Sequence, residues 1–367
     1  MNKLLTSFKS KTNDFYVENR VTMAPMTRVR ATEYRNVTEE MTTYYQQRAT
    51  AGLIITEGVI ISPEGAGYIK TPGIYTERQI NGWKKVTDAV HQEGGKIFAQ
   101  IWHCGAVSHP TYHGGFPPKG PSKINPSTQT FTLDGFKDSV VAQEMTLEDI
   151  NEVIRDFELA AIRAVDAGFD GVQIHGANGY LFDQFFRSGT NLRTDNYGGC
   201  LENRSRLFFE VLERVIAAVG SSRVAVRLSP AGQIQVLPDS NVIETYDFIV
   251  NKLNDYDIAF LELLEPKNFF ANLMTESDNS KQICFDRPVC EHYRDIYDGT
   301  IMTNGGYTPE SALEALEKES ADLVSFGNLY ISNPTLVGKI RAGITELESV
   351  NKDYLYVGEK QGYTDYV

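Results

Sequence analysis

What the chain lacks narrows its function first. It has four cysteines in 367 residues, Cys104, Cys200, Cys284 and Cys290. They are too few and too scattered for a disulfide framework, and their spacings match no zinc or iron–sulfur pattern. No cluster of His, Cys, Asp and Glu has metal-ligand spacing, so no metal is expected, and no Gly-x-Ser-x-Gly marks a hydrolase nucleophile. Apolar runs of ~18 residues are absent, and the opening MNKLLTSFKSKTNDFY holds no apolar stretch of signal-peptide length. The expectation is a soluble, cytoplasmic protein. Positive charge is also scarce: 35 Lys and Arg against 48 Asp and Glu give a net charge of −13. With no basic cluster, nucleic acid and anionic membranes are disfavoured as partners.

What is there is a regular alternation. Hydrophobic residues make up 41% of the chain and charged residues 23%, enough apolar matter for a large core. Short apolar runs at Arg20–Ala24, Leu53–Thr56, Lys96–Ile101, Gly171–Ile174, Val224–Leu228, Ala259–Leu263, Thr300–Thr303 and Leu323–Phe326 read as eight strands. Helical patterns with spacing near 3.6 lie between them, most clearly Leu147–Ala167 and Leu201–Val219. Thr146 with Asp149 predicts a capping box ahead of the first, and Gly168 predicts its stop. An open doubly wound sheet would also alternate, but no Gly-x-Gly-x-x-Gly follows the first strand. The pattern predicts a single (β/α)8 barrel domain over residues 1–367, a length within the usual range. The stretch from Trp102 to Ala142, with HPTYHGGFPPKGPSKINPS, is too long for an ordinary connection. It predicts a lid-like excursion after the third strand, with room for a short hairpin.

Barrel chemistry gathers at the carboxyl ends of the strands. The first strand ends in Ala24-Pro25-Met26-Thr27, the second in Thr56-Glu57-Gly58, and the third in Gln100-Ile101-Trp102-His103. The fourth delivers His175, followed by Asn178 and Tyr180 and a long polar loop. The fifth carries Arg227 inside VAVRLSP, costly to bury without an anionic or hydrogen-bonding partner. An ion pair with a core carboxylate such as Glu57 is its structural alternative. The seventh ends in Asn304-Gly305-Gly306 and the eighth in Phe326-Gly327-Asn328, where backbone amides of a barrel commonly hold phosphate. His103 reads as a structural rim residue.

The ordered set APMTRVRA (24–31), YYQQRATAGLIITEG (44–58), GYIKTPGI (67–74), AQIWH (99–103), HGANGYLFDQFFRSGTNLRTDNYGG (175–199), ENRSR (202–206), RLSP (227–230), NGGY (304–307), ISNP (331–334) and GYTDY (362–366) resembles the Old Yellow Enzyme family of FMN-dependent ene reductases. The resemblance implies non-covalent FMN, with NADPH or NADH as hydride donor and an enone-type small molecule as substrate. Thr27 would hydrogen-bond the flavin O4, Gln100 the pyrimidine edge, and Arg227 would sit near N1 and O2. His175 and Asn178 would clamp the substrate carbonyl, Tyr180 would protonate the α-carbon, and Trp102 and Tyr356 would shape the pocket. Ala24, Pro25, Met26, Glu57, Gly58, Asn304, Gly305, Gly306, Phe326, Gly327 and Asn328 complete the cofactor set.

Three positions depart from the family pattern, one of them Leu355 beside Tyr356, where relatives often have an aromatic residue and a wider pocket is therefore expected. Asn328 stands where an arginine commonly grips the FMN phosphate, so a charge-assisted contact is lost and weaker FMN binding is expected. Ala106 stands where many bacterial relatives have arginine. Loss of net reduction in favour of isomerisation or cyclisation, or loss of flavin altogether, are the alternatives; retention of Tyr180 speaks against the first. Monomer and homodimer both fit.

Overall fold

A computed structural model describes residues 2–232, 239–266 and 285–366; Cys284 lies outside them. Eight parallel strands close into a barrel: β1 (Val21–Met23), β2 (Leu53–Ile60), β3 (Ile97–Trp102), β4 (Gly171–Gly176), β5 (Val224–Leu228), β6 (Phe260–Leu264), β7 (Ile301–Asn304) and β8 (Leu323–Phe326). Each pairs with its sequence neighbours, and β8 returns to β1 through Val324–Val21, Ser325–Thr22 and Phe326–Met23. The predicted strands are all present. β2 runs four residues further than expected, because its register against β3 shifts between Ile55 and Gly58 and pairing then resumes to Ile60. Such a bulge adds a residue without ending the ladder. β4 extends to Gly176, so His175 belongs to the strand itself.

Side chains of a strand alternate between the barrel interior and the helical layer. The lowest interior positions, among them Leu53, Ile55, Phe98, Ala225, Phe260, Met302 and Leu323, form one buried apolar cluster with Phe8, Phe15 and Val17. The last three come from an antiparallel hairpin, Phe8–Lys9 with Tyr16–Val17, that plugs the barrel floor. Phe15 packs 5.3 Å from Phe260 and 6.1 Å from Phe98. Two residues higher on the same strands, the interior turns polar: Gln100, Gln173, Glu262 and Ser325 are all buried. The chain therefore fills the lower barrel with hydrocarbon and reserves hydrogen-bonding groups for the upper end.

The outer faces pack on helices. Helix Leu147–Asp166 buries Ile150, Val153, Phe157, Ala160, Ala161 and Ala164, spaced three and four apart, and each large side chain so buried contributes ~1.5–3 kcal/mol. Thr146 Oγ1 accepts from Asp149 N while Asp149 accepts from Thr146 N, the expected capping box. The helix stops at Gly168, whose φ of 89° suits glycine. A Cβ there would lie 2.7 Å from Thr87 Oγ1, the hydroxyl that donates to Ala167 O. Helix Leu201–Val219 falls at its expected bounds. The excursion after β3 contains the hairpin anticipated for it, Gln129–Thr132 with Gly135–Asp138, fastened to the rim where Ile69 N and Tyr112 Oη donate to Phe131 O.

Candidate active site

The fourth strand carries the centre of the site. His175 is the last interior residue of β4, and the chain then turns sharply through Asn178, whose φ of 59° is unusual for a residue with a side chain. That turn is held from beneath. Asn178 N donates to Ser229 Oγ (2.8 Å) and Gly179 N to Asp183 Oδ2 (2.8 Å). Asp183 is fully buried and also accepts from Arg187 Nε and Tyr246 Oη. Gln184 Nε2 donates to Gly179 O and Cys104 O. A strained conformation persists where its surroundings over-determine it, and these contacts do so.

Above the turn the aromatic side chains close on one another. Trp102 meets Tyr180 edge to face at 4.7 Å and stacks on Tyr68 at 5.7 Å, and the His175 ring lies 5.3 Å from Tyr180 and 6.0 Å from Trp102. Tyr180 Oη and Tyr68 Oη are 3.3 Å apart. Gly58 makes this arrangement fit, since a Cβ there would lie 2.2 Å from the Trp102 ring. Burial, then the neighbouring Tyr68, pushes the Tyr180 phenol well above its ordinary value of 10.0, so it stays protonated. Burial, then the Arg227 charge, holds His175 well below 6.5, so its imidazole is neutral.

Three buried polar atoms in this cluster have no hydrogen-bond partner: His175 Nδ1, Asn178 Oδ1 and Trp102 Nε1. Leaving a buried polar atom unpaired costs ~1–3 kcal/mol. Unpaired atoms on His175, on Asn178 three residues further on and on Trp102 beside the His175 ring leave hydrogen-bonding capacity of the kind that a polar ligand can satisfy.

Beneath lies a hydrogen-bonded layer. Gln100 Nε2 donates to Gln173 Oε1 (2.8 Å), Gln173 Nε2 to Glu262 Oε2 (2.7 Å), and Ser325 Oγ to Glu262 Oε1 (2.5 Å). Arg227 Nη1 lies 2.6 Å from Glu262 Oε1, near enough for an ion pair yet out of line for a hydrogen bond. Its Nη2 donates to Asn304 Oδ1 (3.0 Å). Arg227 thus has a carboxylate partner, but that partner is Glu262 rather than Glu57. Glu262 was missed from sequence, although it is the charged residue of β6 and stands in register with Arg227.

Glu57 faces another way. Its carboxylate meets Tyr45 Oη and Arg28 N, both at 3.4 Å, behind Thr27. Burial pushes it up to about 7. Ala24 and Phe326 are buried, whereas Pro25, Met26, Thr27, Gly327 and Asn328 are partly open at the rim. Gly305 and Gly306, with φ of 143° and 81°, turn after β7, and a Cβ on Gly327 would lie 3.4 Å from Met26 Sδ. His103 is buried, Gly105 N donates to its Nδ1 (3.0 Å), and burial lowers it to about 3.

Residues 8–346 match the family described as NADH:flavin oxidoreductase / NADH oxidase. The chain is 40% identical to 12-oxophytodienoate reductase 7 of Oryza sativa subsp. japonica, over 96% of this chain and 91% of that one. Among solved structures, an old yellow enzyme homologue from Zymomonas mobilis is 40% identical with a TM-score of 0.91, covering 99% of both chains. Morphinone reductase in complex with tetrahydroNAD is 34% identical with a TM-score of 0.89, covering 99% of this chain and 97% of that one.

Proposed function

Because the chain belongs to the NADH:flavin oxidoreductase / NADH oxidase family, that of the old yellow enzymes, we propose that it is an FMN-dependent ene reductase. It reduces the C=C bond of α,β-unsaturated carbonyl compounds with NADPH or NADH, as a soluble cytoplasmic enzyme of one barrel domain. The observation that carries this reading is the coincidence, in one buried cluster, of unpaired polar atoms on His175 and Asn178 with a phenol held protonated.

The residues present fit FMN. Gln100 offers a buried amide, Arg227 a guanidinium whose Nη1 makes no hydrogen bond, and Thr27 a partly open hydroxyl at the rim. Backbone amides at Gly305, Gly306 and Gly327, with Asn328, would take the phosphate. FMN, when bound, supplies the hydride that reaches the substrate β-carbon.

The chain's own residues do the rest. A neutral His175 offers one N–H, and the amide of Asn178 can present its NH2 by rotation. Two such donors on the carbonyl oxygen stabilise the charge that gathers there, a contribution of ~10²–10³ in rate per donor elsewhere. Tyr180 gives its proton to the α-carbon, as a general acid that remains protonated at neutral pH. Trp102, Tyr68 and Tyr356 exclude water from the pocket.

An anaerobic visible spectrum of the purified protein, before and after NADPH and then cyclohexenone, tests the reading. Flavin absorption should bleach with NADPH and recover with the enone. Bleaching without recovery would remove enones as the substrate class, and no flavin absorption after added FMN would remove the flavoenzyme.

A further inference from the structure

The C-terminal segment that bears Tyr356 has almost no regular structure of its own. After a single 3-10 turn at Lys352–Tyr354, residues Val357 to Gln361 are exposed. Its buried residues are Leu355, Gly362 and Tyr363. A backbone in this state must find donors for its carbonyls elsewhere. Two arginines supply them. Arg28 Nε donates to Leu355 O (3.1 Å), and its Nη2 to Gly362 O (2.6 Å) and Tyr354 O (3.5 Å). Arg30 Nε donates to Glu359 O (3.2 Å), and its Nη2 to Tyr354 O (3.0 Å) and Val357 O (2.5 Å). Both guanidinium groups also lie 5.1 Å from the Tyr363 ring, which stacks on Tyr44 at 4.1 Å.

Other hydrogen bonds lie near the ends of the segment. Gln47 Nε2 donates to Thr364 O, and Asn351 N to Tyr366 Oη. Among the described residues, the side-chain hydrogen bonds given to the backbone of residues 354–362 come from the two arginines, while Leu355 and Tyr363 add buried contact. Each arginine is at least nine-tenths buried, at 1% and 7% exposure, and such burial of a cation is costly unless its donors are used. Arg28 follows Thr27 directly, so the strap is tied to the loop that frames the site. Its other face reaches the chemistry: Tyr356 is near enough to Tyr180 to add to the environment that keeps that phenol protonated.

We propose that Arg28 and Arg30 are positioning residues for the substrate, fastening the strap 354–362 so that Tyr356 forms a fixed wall of the pocket that holds His175, Asn178 and Tyr180. This rests on the function proposed above. The wall acts on binding rather than on the reacting atoms, so loosening it weakens substrate affinity and leaves the chemical step nearly intact.

The test uses the FMN-loaded protein with Arg30→Ala, and two readouts. Amide hydrogen exchange of peptides covering 351–363 reports the strap, and steady-state kinetics with cyclohexenone report the pocket. Exchange in the strap should accelerate, KM for cyclohexenone should rise roughly tenfold, and kcat should change by less than about twofold. Arg30→Lys keeps the charge but not the fork that reaches three carbonyls, so it should retain most of the KM change. It also serves if the alanine variant fails to fold. Unchanged strap exchange, faster exchange with unchanged KM, a fall in kcat alone, or full recovery by lysine would each overturn the proposal. Should the wild type itself not reduce the enone, the function proposed above falls, and strap exchange alone then decides the fastening.

Discussion

Glu57 offers a prediction whose size follows from its surroundings. The residue is 1% exposed, and burial raises it from the ordinary 4.5 to about 7 despite the attraction of Arg28 and Arg30 and the Tyr45 hydroxyl. The folded protein therefore keeps the proton to about pH 7, whereas the unfolded chain releases it near 4.5. The stability that accompanies the protonated carboxyl is fully present below pH 4.5, declines as the pH climbs to about 7, and is constant above. At ~1.4 kcal/mol per pH unit the loss amounts to about 3 kcal/mol. Glutamine copies the shape of the protonated side chain and does not titrate. Glu57→Gln should match the wild type in stability near pH 4.5 and exceed it by about 3 kcal/mol at pH 8. Urea denaturation of both proteins in excess FMN, at several pH values across this window, measures the difference directly. For a chain of this length the gain corresponds to ~4 °C in Tm. A difference that stays flat with pH, or a variant less stable at pH 8, would refute the argument that desolvation outweighs the arginines.

Other predictions concern the site. Tyr180→Phe should leave flavin reduction by NADPH near normal and slow reoxidation by an enone; equal slowing of both in stopped-flow traces would contradict its role as proton donor. Asn328→Arg should tighten FMN binding by roughly ten- to a hundredfold, as one charge-assisted contact is restored; an unchanged Kd by fluorescence titration would move the phosphate site elsewhere. With His175 lowered well below 6.5 and Tyr180 raised well above 10.0, the rate of reoxidation by an enone should be flat from pH 6.5 to 9; a step near 6.5 would show that His175 titrates. Asp183→Asn strips the buried Arg187 of its charge partner and should cost ~3–5 kcal/mol in denaturant unfolding; a loss near zero would mean the hydrogen bonds from Tyr246 and Gly179 suffice.

The fold was legible because its signals are local. β-strands and helices differ in apolar period, and caps such as Thr146 with Asp149 and stops such as Gly168 depend on a few adjacent residues. Strand ends were less legible. β2 continues past Glu57 only because a bulge restores pairing with β3, and Gly58 there must leave room for the ring of Trp102, 44 sequence positions further on, a relation that no local pattern contains. The hairpin of the excursion was legible as turn-rich composition, while its attachment at Phe131 to Ile69 and Tyr112 was not.

Within the site the division has the same cause. His175, Asn178 and Tyr180 lie within six residues of one another, so their grouping survives without knowledge of the fold. The partner of Arg227 does not. Glu57 and Glu262 are both carboxylates on barrel strands, and what separates them is facing. Glu262 points inward at the height of Gln100 and Gln173, while Glu57, displaced by the bulge, turns toward Tyr45. Shifting a strand by one residue exchanges its two faces, so the choice of carboxylate is a consequence of register. The outcome matters for the chemistry. Arg227 is charge-compensated by Glu262 and tethered by Asn304, which lets a guanidinium stay in the barrel at tolerable cost while its Nη1 keeps a donor unspent. Glu57, in turn, accepts from Arg28 N and the Tyr45 hydroxyl behind Thr27, away from the polar layer of the barrel. Two acids alike in sequence thus come to different surroundings, one paired with a guanidinium inside the barrel and the other desolvated behind Thr27.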